Sequence, residues 1–596
     1  MAERKPPERG RAEQRPPGGP AEARQQADRP EGHERASRAN RTGRGGVGTR
    51  PERYLVAAAP PADARALAAR LDQDAQITVV RTIGSASAAS NYPHIAVIET
   101  TAERAGALAR EPDLHVETDQ RLSYGIPADP AFAHVSVAPA GEVDQITVRV
   151  RDDGGRPVEH AAVSVLCAGF PAIGFTGPDG QAELMMPAGA AASATVMLVR
   201  PARGCWPTRI IRPVLTPGVP VAVVCNRITT TYPDFPEHGL DSWGTRAMGF
   251  GRLPPTHRGS GVRVALVGSG VAAGHPDLAD RIADGRDVVG EDDKSWRRDL
   301  LGTGTHEAVL IAGRDDGAGV VGLAPETEVH ICRTVPDGRA SDLIEALDYC
   351  IDLQVDVAMI SVGIAETSPL LSQKVQHARA RGVACIAAAG DSAGPITYPA
   401  AEPGVLAVGA VGQLGSFPAD SGHAAHISAQ VAPDGLFVPA FASTGPGLDC
   451  CAPGVAIVSG LPPASYGPLD GSGAAAAHVA AAAALILAHH PRFRPEQRRG
   501  AAIRDVSRVD HLFQVILAAC RPLPFLDPIR SGAGVPDVAV AMGLAPQWPY
   551  SAPLMPAAVA AEPALTWHGH QATAVMEPLR AAMWSAGLLT DCPDAG

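Results

Sequence analysis

The sequence predicts an α/β fold, a mostly parallel sheet with helices on both faces, joined to a small α+β unit and an antiparallel β-sandwich. Three observations carry this. Between residues 231 and 544, strands rich in Val, Ile and Ala (VRVALVGSG, TEVHICRTV, VDVAMISVG, VACIAAAG, VLAVGAV) alternate with helical stretches (ASDLIEALDYCIDLQ, SQKVQHARARG), as in parallel sheets covered on both sides. Over residues 138–226 apolar and polar side chains alternate in QITVRVRD, AAVSVLCAG, ATVMLVRP and VAVVCN, with turn signals DDGG and GPDG between them. From Tyr54, strand-like YLVAAA and HIAVIE and a closing VETDQ are separated by helical PADARALAARL and TAERAGALARE, giving the order β-α-β-α-β.

Composition narrows the function. At 596 residues the chain is too long for one core and should hold roughly two to four domains. Its apolar fraction of 45%, charged fraction of 19% and formal charge of −12 are those of a soluble globular protein, with no call for nucleic acid as a partner. The opening MAERKPPERGRAEQRPPGGP lacks the apolar run of a secretory signal, so the expected location is cytoplasmic. The most apolar stretch, Ala474 to Ala488, is interrupted by His478 and is shorter than the roughly 20 residues of a membrane span, so it should be a buried helix and no membrane is expected as a partner. Ten cysteines are scattered without a CxxC pair, and should be reduced and mostly buried; no run of carboxylates marks a calcium site, so no metal and no cofactor is expected.

Along the chain, residues 1–50 are an Arg/Pro/Glu/Gly-rich tail with twelve Arg or Lys against seven Asp or Glu and almost no large apolar side chain, a composition that should stay disordered. Residues 51–125 form the α+β unit, which resembles the inhibitory propeptide (inhibitor I9) of subtilases, VETDQ matching that family's closing strand. Residues 138–226, with RDDGGRPVEHAAVSV and TGPDGQAEL, resemble transthyretin-like, carboxypeptidase-regulatory-like modules, which implies a spacer or a binding surface. Residues 231–544 carry the parallel sheet, and 545–596 are an Ala- and Pro-rich C-terminal extension.

Four segments of the 231–544 region stand in the order of a known pattern. They are VALVGSGVAAGHPDL (264–278), GTGTHEAVLIAG (302–313), CIAAAGDSAGPITYPAAEPGVLAVGAV (385–411) and YGPLDGSGAAAAHVAAAAALILAHHP (466–491). Together with GVVGLAPETEVHICR and the closing SGAGVPDVAVAMGL, they resemble the subtilisin-like serine proteases (subtilases, peptidase S8) over nearly the whole region. The resemblance implies a subtilisin-like α/β sheet. It also implies that Gly268 stands where the family has its catalytic Asp, Thr303 where it has the general-base His, Asp391 where it has the oxyanion Asn, and Gly473 where it has the nucleophilic Ser. Flanking residues such as Ser269, Gly270 and His275 to Leu278 hold the register. A carboxylate at Asp391 would repel the charge that an oxyanion donor stabilises, and loss of one such donor alone lowers rates by roughly 10² to 10³. No residue is therefore expected to be catalytic.

Two side chains are fallback candidates, His306 and Ser472. His306 matches the second His of the family's GHGTHVAG motif, and Ser472 precedes the nucleophile position by one residue, about 100° of helix rotation away. The motif SVG, Ser361, Val362 and Gly363, stands where subtilases have the edge strand that pairs with substrate backbone, which implies peptide binding by strand addition. The expectation is a catalytically inactive subtilase homologue, a pseudoprotease acting as scaffold, peptide-binding chaperone or regulatory partner. The ligand in the groove would be a peptide or protein, such as an active protease or a biosynthetic enzyme. The alternative is a serine-type hydrolase with a site rebuilt from Ser472 and His306, or with Asp391 recruited as an acid or base. A third reading makes the β-sandwich the working module.

Overall fold

The computed structural model describes residues 51–58, 64–84, 92–124, 141–167, 171–290, 292–493, 504–523 and 527–544; the tail over 1–50 and the extension over 545–596 lie outside them. The first unit is a four-stranded antiparallel sheet in the order β2-β3-β1-β4, built from β1 (Glu52–Ala58), β2 (Thr78–Ile83), β3 (Ile95–Thr100) and β4 (Leu114–Thr118). Helices α1 (Ala64–Leu71) and α2 (Ala102–Leu108) cover one face, with Leu67, Leu71 and Leu108 packed on Tyr54, Val56 and Ile98. Alternation along β1 sends Leu55 and Ala57 to the other face, into the core of the large domain, so YLVAA is apolar on both sides of the strand. Strand β2 was absent from the β-α-β-α-β expectation. It lies at the sheet edge with Thr78, Val80 and Thr82 exposed, and this weakens its strand signal.

The second unit is a two-sheet sandwich. One sheet has the order β11-β10-β7-β8, from β7 (Ala162–Leu166), β8 (Ala172–Phe175), β10 (Val196–Arg200) and β11 (Thr208–Ile211). The other has the order β12-β6-β9, from β6 (Val143–Asp152), β9 (Gln181–Pro187) and β12 (Val221–Cys225). Alternate side chains Ile146, Val148 and Val150 meet Val163, Val165, Leu184 and Met197 between the sheets. The sandwich is not wholly antiparallel as expected: β12 crosses over from the opposite sheet and joins β6 in parallel, Val221 opposite Val148.

Two short helices, α3 (Ile228–Thr231) and α4 (Trp243–Ala247), lead into the large domain. Its sheet runs β14-β15-β13-β16-β18-β19-β20, with β21 also paired to β19, and all pairs except β19 with β20 are parallel. The strands are β13 (Arg263–Gly268), β14 (Ile282–Asp287), β15 (Glu328–Arg333), β16 (Val357–Ile360), β18 (Ala384–Ala388), β19 (Leu406–Gln413), β20 (Leu436–Phe437) and β21 (Cys450–Pro453); a short β17 (Val362–Gly363) follows β16. Helices α5 (Thr303–Ala312), α6 (Ala340–Asp352), α7 (Pro369–Ala380) and α9 (Val506–Ala518) surround it, and a hairpin of β22 (Ile457–Leu461) and β23 (Ser465–Leu469) precedes α8 (Ser472–His489). Helix α8 is long and apolar enough to cross a membrane, yet 89% of it is buried in the protein, where runs of Ala let it lie close against β16, β18 and β19. The nine cysteines among the described residues are free thiols, seven of them buried.

Charged and aromatic contacts seat the first unit on helices α6 and α7. Asp119 accepts from Ser341 N and Ser341 Oγ, both at 2.9 Å, which occupies donors at the start of α6. Glu117 does the same at the start of α7 through Ser368 and Leu370. Arg81 pairs with Asp342 and Glu345. Tyr92 donates to the Leu370 carbonyl at 3.0 Å, and the fully buried Lys374 lies 3.4 Å from the Tyr92 ring centroid while pairing with Asp348 at 2.5 Å.

Candidate peptide groove and its centre

The carboxyl ends of β13, β16 and β18 meet the amino ends of α5 and α8, the region where parallel α/β sheets place their ligands. Gly268 closes β13, Thr303 opens α5 behind Gly302 with φ of 84°, Asp391 follows the end of β18, and Gly473 is the second residue of α8. The structure thus gathers the four sequence-assigned positions around one centre, and it adds a residue that sequence reasoning missed, Glu307.

Glu307 stands one helical turn beyond Thr303 on the same face of α5. A Cβ on Gly473 would lie 2.2 Å from Glu307 Oε1 and 3.5 Å from the Ser361 Cβ; a Cβ on Gly268 would lie 2.7 Å from Ser361 Oγ and 3.8 Å from Glu307 Oε2. The carboxyl group therefore occupies space that both glycines leave open. It is 3% exposed, and its Oε2 has no hydrogen-bond partner among the described residues. Burial pushes its pKa up to about 8; the nearby Ser361 hydroxyl opposes this, and the charges of Asp299 and Asp391 add to it. At neutral pH the group is a carboxylic acid. A signal was present in the sequence: Glu307 is the single acidic residue in the otherwise apolar or neutral TGTHEAVLIA, four positions after Thr303.

Thr303 belongs to a hydroxyl chain. Ser269 Oγ donates to Asp299 Oδ1 at 2.8 Å and accepts from Gly304 N at 2.8 Å, and Thr303 Oγ1 lies 3.0 Å from it. Ser269 has one hydroxyl proton and gives it to Asp299, so Thr303 is the donor in the second bond. Asp391 is buried beside the start of α8, its Oδ1 accepting from Ser472 N at 2.8 Å. Burial raises its pKa to about 6, against the lowering effect of the Ser472 bonds, and Oδ2 has no partner among the described residues.

The fallback pair is not brought together. His306 is held through Nε2 to the Ile457 carbonyl at 2.7 Å, tying α5 to the hairpin, and burial drives its pKa down to about 4. Ser472 Oγ instead accepts from Gly390 N at 3.0 Å. Each side chain is committed to backbone on a different element, and no hydrogen bond joins them. Among the described residues no group of three or more His, Cys, Asp or Glu is arranged to hold a metal ion.

Val362 and Gly363 form β17, whose edge is already paired. Strand β5 (Ser123–Tyr124), which follows the first unit, lies antiparallel to it with Tyr124 opposite Val362 and Ser123 opposite Gly363. Ser123 Oγ donates to the Gly363 carbonyl at 3.0 Å, and Gln120 exchanges hydrogen bonds with Glu366 in both directions. Ser361, the third predicted peptide-binding residue, points into the centre toward Glu307 rather than to the edge.

A central, mostly parallel sheet flanked by helices, with the buried α8 starting at its carboxyl-end centre, defines an α/β protein whose centre lies where the strands end. The Subtilase family profile matches residues 259–515. Over 251 residues the chain is 34% identical to subtilisin of Bacillus pumilus, spanning 41% of this chain and 82% of that protein. Over 265 residues it is 34% identical to subtilisin Savinase of Lederbergia lenta, 43% of this chain and 88% of that one. It spans 60% of subtilisin E of Bacillus subtilis (strain 168), again at 34% identity. The chain belongs to the subtilase family.

Proposed function

We propose that the chain is a pseudoprotease, a subtilase that binds polypeptide in its groove and does not cleave it. The observation that carries this is the filled centre: with a Cβ on Gly473 only 2.2 Å from Glu307 Oε1, the place of a nucleophile side chain is taken by a buried, protonated carboxyl. Three features support the same reading. Thr303 stands at the general-base position and donates to Ser269; Gly268 offers no carboxylate; and Asp391 brings a carboxyl where an amide donor would serve an oxyanion.

In this reading residues 51–125 are a propeptide-like unit that stays attached because the site lacks the groups to process itself. Strand β5 holds the groove edge until a peptide or protein partner, such as an active protease or a biosynthetic enzyme, displaces it. The sandwich is a spacer or binding module, and the protein works in the cytoplasm without metal, nucleic acid or membrane. The test is an assay of the purified chain with fluorogenic peptides and casein, intact mass measured alongside, repeated on a Ser472→Ala, His306→Ala double variant. An uncut chain without turnover is expected. Saturable turnover that the double variant abolishes would overturn the proposal in favour of a rebuilt hydrolase.

A further inference from the structure

A cavity of about 430 Å³ lies between the sandwich and the subtilase domain, within the size range of small-ligand sites. The sandwich contributes the end of β10 and the turn after it, including Arg200 and Arg203; the large domain contributes the loop from Asp299 to Thr303, the turn carrying His423 and His426, and the hairpin end up to Asp470. The cavity thus touches Thr303, beside the filled centre, but more than a third of its lining residues come from the sandwich.

The polar groups of the wall are unevenly committed. Asp470 accepts from His423 Nδ1 at 2.8 Å and from Ala456 N at 2.6 Å, and lies 3.3 Å from His426 Nε2; these partners hold its carboxyl ionised, with a pKa of about 2. Asp299 accepts from Ser269, Gly302 and Thr305. Both carboxylates are therefore satisfied from within the protein. Arg203, by contrast, is exposed with no ion-pair or hydrogen-bond partner among the described residues, and His423, 4% exposed, has an unpartnered Nε2. Apolar wall is supplied by Leu198 and Leu461, with Leu300 left 76% exposed, beside the polar side chains of His160, Arg200, Thr303 and His426. Unspent positive charge beside uncovered apolar surface matches an organic anion with an apolar body, and the planar guanidinium fork matches a carboxylate.

We propose that this interdomain cavity binds the carboxyl terminus of a peptide, its last apolar side chain against Leu300 and Leu461 and its carboxylate at Arg203. The site is separate from the groove edge at Val362 and Gly363 and does not depend on whether the centre is inactive. It gives the sandwich a recognition role.

Calorimetric titration of the full chain with N-acetyl-Ala-Ala-Leu, its C-terminal amide and inorganic phosphate tests the proposal. The free acid is expected to bind saturably, the amide and phosphate at least roughly tenfold more weakly. Arg203→Ala and Leu300→Asp, both at exposed positions that leave folding intact, should each weaken the free acid by a similar factor. Equal affinity for acid and amide, phosphate binding as tightly as the acid, indifference to both substitutions, or no binding up to about 10 mM would each overturn it.

Discussion

Replacing Glu307 by Gln probes the filled centre directly, because Gln keeps the shape of the side chain and has no proton to lose. In the folded protein the Glu307 pKa is about 8, against 4.5 for the free side chain. Between those values the native state holds a proton that the unfolded chain has released. Native stability therefore falls as pH rises, by about 1.4 kcal/mol per pH unit. The loss is absent below the lower value, reaches about 3 kcal/mol at pH 7, and levels off above the upper one. Gln carries none of it. The amide's own hydrogen bonds add an offset that does not vary with pH, so the readout is the change in the gap between the two proteins. From pH 5 to pH 7, E307Q should gain about 2.5 kcal/mol on the parent, measured as unfolding free energy from urea titrations followed by tryptophan fluorescence. Parallel stability curves across that range would refute a buried carboxylic acid at the centre.

Four further outcomes follow from the geometry. Gly473→Ser should restore no peptidase activity and should destabilise the fold by about 1–3 kcal/mol through overpacking against Glu307; adding Glu307→Val should recover much of that loss in a double-mutant cycle of urea unfolding. His306→Ala should destabilise by about 1–3 kcal/mol, because the buried Ile457 carbonyl loses its donor, as read from the urea midpoint. Lys374→Met leaves Asp348 without its partner and removes the cation from the Tyr92 ring, so limited proteolysis should release residues 51–125 faster than from the parent. Changing Ser123 and Tyr124 together to Pro removes the backbone donors of β5, and fluorescence anisotropy should then report tighter binding of an extended peptide to the freed Val362–Gly363 edge.

Much of the architecture was legible because it rests on local periodicity. Val- and Ala-rich strands separated by helices announce a parallel sheet, and the closely kept segments around Gly268, Thr303, Asp391 and Gly473 fix which residues stand at its carboxyl ends. Where periodicity is weak the reading fell short. Strand β2 escaped because an edge strand with one exposed face carries little alternation, and the parallel pairing of β12 with β6 escaped because strand direction depends on the route of the chain between sheets.

The site divides along the same line. That positions 268, 303, 391 and 473 carry Gly, Thr, Asp and Gly is a matter of sequence alone. That Glu307 reaches into the space left by two glycines was decided by tertiary structure, since Gly268, Glu307 and Gly473 lie on three different elements, Ser361 lies between β16 and β17, and their distances follow from the packing of α5 and α8. So was the separation of Ser472 from His306, each drawn to a different backbone group. The partner of the groove edge was decided there as well: hydrogen bonding between strands pairs backbones irrespective of side chain, so only the path of the folded chain places Ser123 and Tyr124 against Gly363 and Val362.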